Sequence, residues 1–235
     1  MKISIGNGIW SVLTDYFSFS EVNFDKVWDA TTETLYMTFT SALITFFLGI
    51  LIGLILFETR RSKKKGSAVI YNIISFFVNV FRSVPFLILI VLLIPLTKAL
   101  MGKMTGPTAG LPALIISASP FFGRLVETGF REIDKGVLEA ATAMGASTTD
   151  RIFKVLIPES LPSIVAGITT TTISLLSYTA MAGVIGAGGL GNLAYLEGFQ
   201  RNHPAVTLTA TVIIVIIVFV IQAIGDLIVQ RIDHR

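Results

Sequence analysis

Five long apolar runs, with too few charged residues to wrap a soluble core, decide what this chain can fold into. The first covers residues 34–57, and those 24 residues reach about 36 Å as a helix. That crosses a hydrocarbon core of about 30 Å with room for tilt. The second lies within residues 70–96 and is interrupted by Asn79, Arg82 and Pro85. The third, residues 111–126, carries Pro112 and Pro120, whereas the fourth (164–185) and fifth (206–228) are unbroken. Only 14% of the residues are charged, where a soluble domain needs about a quarter. The expected fold is an all-α integral membrane protein with five transmembrane helices.

Basic residues fall in short clusters between these runs, which accounts for the formal charge of +3 without nucleic acid. Twelve Lys and Arg, among them Arg60, Arg61 and Lys63 to Lys65, lie on one side of the expected topology, and five on the other. The richer side is expected to be cytoplasmic, with the N-terminus outside and the C-terminus inside. Residues 1–25, with Trp10, Tyr16, Phe17 and Phe19, read as an interfacial extension of a transmembrane domain spanning 26–235. They lack the apolar stretch and small-residue cleavage site of a signal peptide.

The segment between the third and fourth spans, residues 127–161, is too apolar for a free loop and too polar to span. Val137, Leu138, Ala141, Met144, Ile152, Val155 and Leu156 recur at three- and four-residue spacings, which predicts short amphipathic helices. Gly145 is expected to end the first helix, Ser147 or Thr148 to cap the second, and Pro158 to stop it.

That segment reads Glu139-Ala140-Ala141, three residues, Gly145, nine residues, then Val155-Leu156-Ile157-Pro158. It resembles the EAA loop of ABC importer permeases, with Val155 and Ile157 as conservative departures. Asn79-Val80-Phe81-Arg82-Ser83-Val84-Pro85-Phe86, Tyr178-Thr179-Ala180-Met181, and Gly186-Ala187-Gly188-Gly189-Leu190-Gly191 look like segments of the methionine permeases in that family. The resemblance implies a homodimer in the bacterial plasma membrane above two ATP-binding cassette subunits. It implies an extracytoplasmic solute-binding protein delivering methionine, or another amino acid or small peptide. It makes Glu139, Ala140, Ala141, Gly145, Val155, Ile157 and Pro158 a coupling segment for the ATPase. ATP and magnesium would be held by that partner, since this chain has no G-x-x-x-x-G-K-[ST] loop and no cofactor motif of its own.

Gly186-x-Gly188-x-x-Gly191 formally matches a dinucleotide fingerprint, but it follows an apolar span rather than a strand and reads as a tight turn. The hydroxyl run Thr169 to Thr172 with Ser174, Ser177 and Tyr178 admits two readings. It could line a translocation path through Thr170, Ser174, Ser177 and Tyr178, or pack helices with each hydroxyl bonded to its own i−4 carbonyl. Met181 is a candidate apolar plug near the outer mouth, or an ordinary packed side chain. Arg82 is a candidate intramembrane charge that could pair with Glu127, line the path or reach the inner interface. His203 and His234 have no second ligand at metal spacing, and the chain has no cysteine. A secondary transporter, a channel and a membrane scaffold are the competing classes; no inverted repeat or mid-span ion-coupling cluster favours them.

Overall fold

The computed structural model describes residues 15–62 and 65–233, leaving out the side chains of residues 21 and 65. Trp10, Lys63, Lys64 and His234, named above, and Lys2 and Arg235, counted there among the basic residues, lie outside the described residues, as does the side chain of Lys65. Helices form almost everything else, and there is no strand among the described residues. After a 3-10 turn at Phe19–Glu21 come α1 (Phe24–Arg61), α2 (Lys65–Ser83), α3 (Phe86–Leu92), α4 (Ile94–Met101) and α5 (Pro107–Glu132). They are followed by α6 (Lys135–Ala143), α7 (Thr148–Arg151), α8 (Ile157–Ala182), α9 (Gly189–Leu193) and α10 (Pro204–Ile232).

Four continuous helical stretches are long and apolar enough to cross a membrane, and a fifth exists if the bent pair α2–α3 is one span. That pair breaks at Ser83–Pro85 because Val84 precedes a proline, whose ring disfavours helical backbone before it. The third span is less interrupted than its prolines suggest: Pro107 opens α5 and the helix runs 26 residues through Pro112 and Pro120. The first is longer than its apolar run, since α1 holds 38 residues. Outward faces of α10 present Val215, Ile216, Phe219 and Val220. A water-facing helix would hide such side chains; a lipid-facing one exposes them.

The chain divides into two compact units. The first combines Met1–Thr40, Phe86–Leu114 and Leu175–Phe219 around Val22, Val27, Ala30, Leu190, Leu193 and Val206. The second combines Ser41–Pro85, Ile115–Ser174 and Val220–Arg235 around Phe57, Phe122, Val126, Phe130, Leu138 and Leu156. Small residues set its helix spacing. A Cβ on Gly49 would lie 2.3 Å from the Phe122 ring, and one on Gly225 would lie 2.3 Å from the Thr169 hydroxyl. With no hydrophobic force between helices in lipid, such close backbone approach supplies the packing energy.

Candidate coupling segment and permeation face

In the second unit, the 127–161 segment folds against the helical core. The Asp134 carboxylate accepts from the Gly136 N–H at 2.6 Å and starts α6. Leu138 and Ala141 turn inward, while Val137, Glu139, Ala140 and Met144 face outward. Met144 is 82% exposed. Val137, Ala140 and Met144 are therefore an unburied apolar stripe one helical face wide. Ala141, expected with Ala140 to meet another surface, is instead used internally.

Gly145 follows α6 with φ +81°, the left-handed conformation that side chains disfavour. Its N–H donates to the Thr142 carbonyl and the Ala146 N–H to the Ala141 carbonyl, which occupies two of the helix's terminal carbonyls. Ser147 then caps α7, accepting from the Asp150 N–H at 3.1 Å. The Arg151 guanidinium holds the Glu58 carboxylate at 2.8 Å, tying this turn to the end of α1.

Pro158 does not stop the second helix, contrary to the sequence expectation. α7 passes through a π turn at Ile152–Leu156 into α8, and Pro158 sits in the first turn of α8. The wider turn shifts the hydrogen-bond ladder where the proline has no N–H to give. Val155 and Ile157 pack against the core of the second unit, and Pro158 is exposed.

Glu127 belongs to the last turns of α5, not to a loop. It is 1% exposed, ion-paired to Arg124 and 3.7 Å from Arg60. Arg124 also donates to Ser75 Oγ at 2.8 Å and Asn79 Oδ1 at 3.2 Å, and Arg60 to the Tyr71 hydroxyl at 3.2 Å. Arg82 takes no part. It lies over the Phe121 ring, 5.9 Å from its centre. The Arg124–Glu127 spacing and the Ser75–Asn79 pair, both one turn apart, were the signal in the sequence.

Along α8, Thr170, Ser174, Ser177 and Met181 follow at four-, three- and four-residue intervals and share one face. All four are exposed or half-exposed. Thr171 and Thr172 are buried, and Thr169 to Thr172 and Ser174 each donate to their own i−4 carbonyl. The back-bonding therefore runs along the exposed face as well as the buried one. Tyr178, half-buried, stacks on Phe86 at 4.6 Å and 10°.

In the first unit the glycine-rich turn after α8 folds back on its own helix. The Asn192 amide donates to the Gly183 carbonyl at 2.9 Å, and a Cβ on Gly183 would lie 2.4 Å from the Asn192 nitrogen. Gly186, Gly188 and Gly189 all have positive φ, and the turn supports no dinucleotide fold. The Glu33 carboxylate accepts the Gly189 N–H at 2.7 Å and Thr34 Oγ1 the Leu190 N–H at 2.8 Å. Gly183→Ala will therefore force backbone apart and destabilise by about 1–3 kcal/mol, checked by thermal unfolding in detergent. Nearby, Glu197 binds Lys26 at 2.9 Å and Arg201 at 2.7 Å. The Lys26 hydrogen bond, then Arg201, hold its carboxyl below the ordinary value. The stability this gives is complete above the free carboxylate pKa of about 4.3 and is lost as pH falls through the lowered value. Lys26→Met should shrink that acid-side loss in a pH titration of unfolding.

The described chain is thus a helical membrane protein whose capped helix pair leaves one apolar face unburied. Residues 45–235 match the family of binding-protein-dependent transport system inner membrane components, and this chain belongs to that family. It is 55% identical over 217 residues to the methionine import system permease protein MetP of Bacillus subtilis, covering 92% of this chain and 98% of that one. It is 42% identical over 214 residues to the probable D-methionine transport system permease protein MetI of Vibrio cholerae, covering 91% and 95%. Among solved structures, a chain of the MetNI methionine ABC transporter in inward-facing conformations superposes with a TM-score of 0.88 at 40% identity. That match covers 92% of this chain and all of the other.

Proposed function

We propose that this chain is the permease subunit of an ATP-driven importer that carries methionine into the cell. What supports the cargo most is the 55% identity, nearly end to end, to a methionine import permease. What supports the drive is the capped segment with its exposed Val137–Ala140–Met144 stripe. Two copies of the chain form the path in the plasma membrane, N-terminus outside and C-terminus inside. Two cassette subunits bind ATP and Mg²⁺ beneath them, and an extracytoplasmic binding protein loads the path. Residues 26–235 are the transmembrane domain and 1–25 an outer extension. Glu139, Ala140 and Gly145 present the coupling helix to the ATPase; Ala141, Val155 and Ile157 root it in the bundle, and Pro158 begins the span that carries its motion.

Uptake of labelled methionine by vesicles holding the whole transporter tests the cargo. Unlabelled methionine should compete and a panel of other amino acids should not; effective competition by an unrelated amino acid at equal concentration would refute it.

The α8 face of Thr170, Ser174 and Ser177 lines the path, with Met181 as an apolar constriction near its outer end. Met181 is 46% exposed in the single chain, as a residue meeting its twin across a dimer axis should be. Met181→Gly is expected to raise the passive leak of resting vesicles severalfold, measured by dye efflux; an unchanged leak removes the plug.

A further inference from the structure

At the end of the second unit lies a cavity of about 510 Å³ between the C-terminal ends of α1 and α5 and the start of α6. Behind it the buried rings of Phe57 and Phe130 pack edge to face at 5.6 Å. Its rim is basic, carrying Arg60, Arg61, Arg131 and Lys135 against the single carboxylate of Glu139. Arg60 is committed to Tyr71 and Glu127. No hydrogen bond or ion pair engages Arg61, Arg131 or Lys135 among the described residues, so three cations without a bonded partner line the opening against one carboxylate. Phe57 is where the apolar run of the first span ends, and Arg60 and Arg61 follow one turn on. The cavity therefore begins at the depth where acyl chains give way to phosphates.

We propose that this cavity is a binding site for the headgroup of an anionic phospholipid, its phosphate held by Arg61, Arg131 and Lys135 where the apolar run of the first span ends. Charge complementarity selects the anion, and the place of the opening at the end of the first span's apolar run selects a lipid over free phosphate. The volume lies within the ~300–1,000 Å³ of small-molecule sites. Because the lipid touches both α1 and the start of α6, it braces the coupling helix against the bundle. The site depends on the cavity and not on the identity of the cargo.

The test uses the permease assembled with its ATPase in neutral detergent, stripped of lipid and titrated with phosphatidylglycerol, phosphatidylcholine or inorganic phosphate, with bound lipid read by native mass spectrometry. Saturable phosphatidylglycerol binding is expected, with phosphatidylcholine bound weakly and millimolar phosphate unable to displace the lipid. Each cation removed should weaken binding about fivefold, so the double variant Arg61→Gln/Arg131→Gln loses roughly 25-fold. Arg131→Lys, which keeps the charge, should bind as wild type and guards against a folding artefact. Equal binding of phosphatidylcholine, unchanged binding by the double variant, or displacement by phosphate overturns the proposal. So does absence of binding to the assembled complex, which would give the cavity to the ATPase.

Discussion

Replacing Gly145 by proline will leave the chain in the membrane and reduce ATP-driven uptake at least tenfold. Proline fixes φ near −65°, whereas Gly145 sits at +81° and donates its N–H to the Thr142 carbonyl. Both the angle and the donor are lost, so α6 cannot stop where it does and the Val137–Ala140–Met144 stripe is aimed elsewhere. Space is not the constraint, since no atom lies within 4 Å of where a Cβ would stand. Gly145→Ala therefore meets only the left-handed backbone cost of about 1–2 kcal/mol, and Gly145→Asn less. The order of uptake should be wild type, Asn, Ala, Pro, measured beside ATP hydrolysis in the same vesicles. ATP turnover should persist in the proline variant.

Glu127→Ala will cause the largest loss of stability of any single substitution considered. Its carboxylate is 1% exposed, paired with Arg124 and close to Arg60. Removing it strands a guanidinium, which costs about 3–5 kcal/mol when a buried pair is broken from one side. Thermal unfolding in detergent should fall by roughly 10 °C. Glu127→Leu combined with Arg124→Met should recover part of the loss, because the pair is then replaced and not broken. Arg60→Gln should cost below about 1 kcal/mol, as that side chain is 46% exposed at 3.7 Å. A normal unfolding midpoint in Glu127→Ala would show that the carboxylate does not hold this network.

The spans could be read because the bilayer demands uninterrupted apolar length, a property visible residue by residue. The two short helices of residues 127–161 could be read because a capped helix, a left-handed glycine and a second cap impose residue types at fixed spacing. Pro158 misled because a proline normally ends a helix, and a π turn upstream is not written in any residue pattern. Ala140 and Ala141 are chemically identical, so only the packing of Leu138 tells which faces out. Arg82 drew attention as the charge in an apolar run, while the paired charge was Arg124, one helical turn from its carboxylate. The basic cavity rests on the ends of α1 and α5, some seventy residues apart in sequence, and only the fold brings them together.

Methionine accumulation in sealed vesicles, with ATP supplied on the coupling-segment side and the binding protein on the other, measures the central claim when run with and without the cassette subunits. The account predicts accumulation against a gradient only when ATP and those subunits are both present, and its loss in Gly145→Pro. Equal accumulation by the permease alone would contradict it.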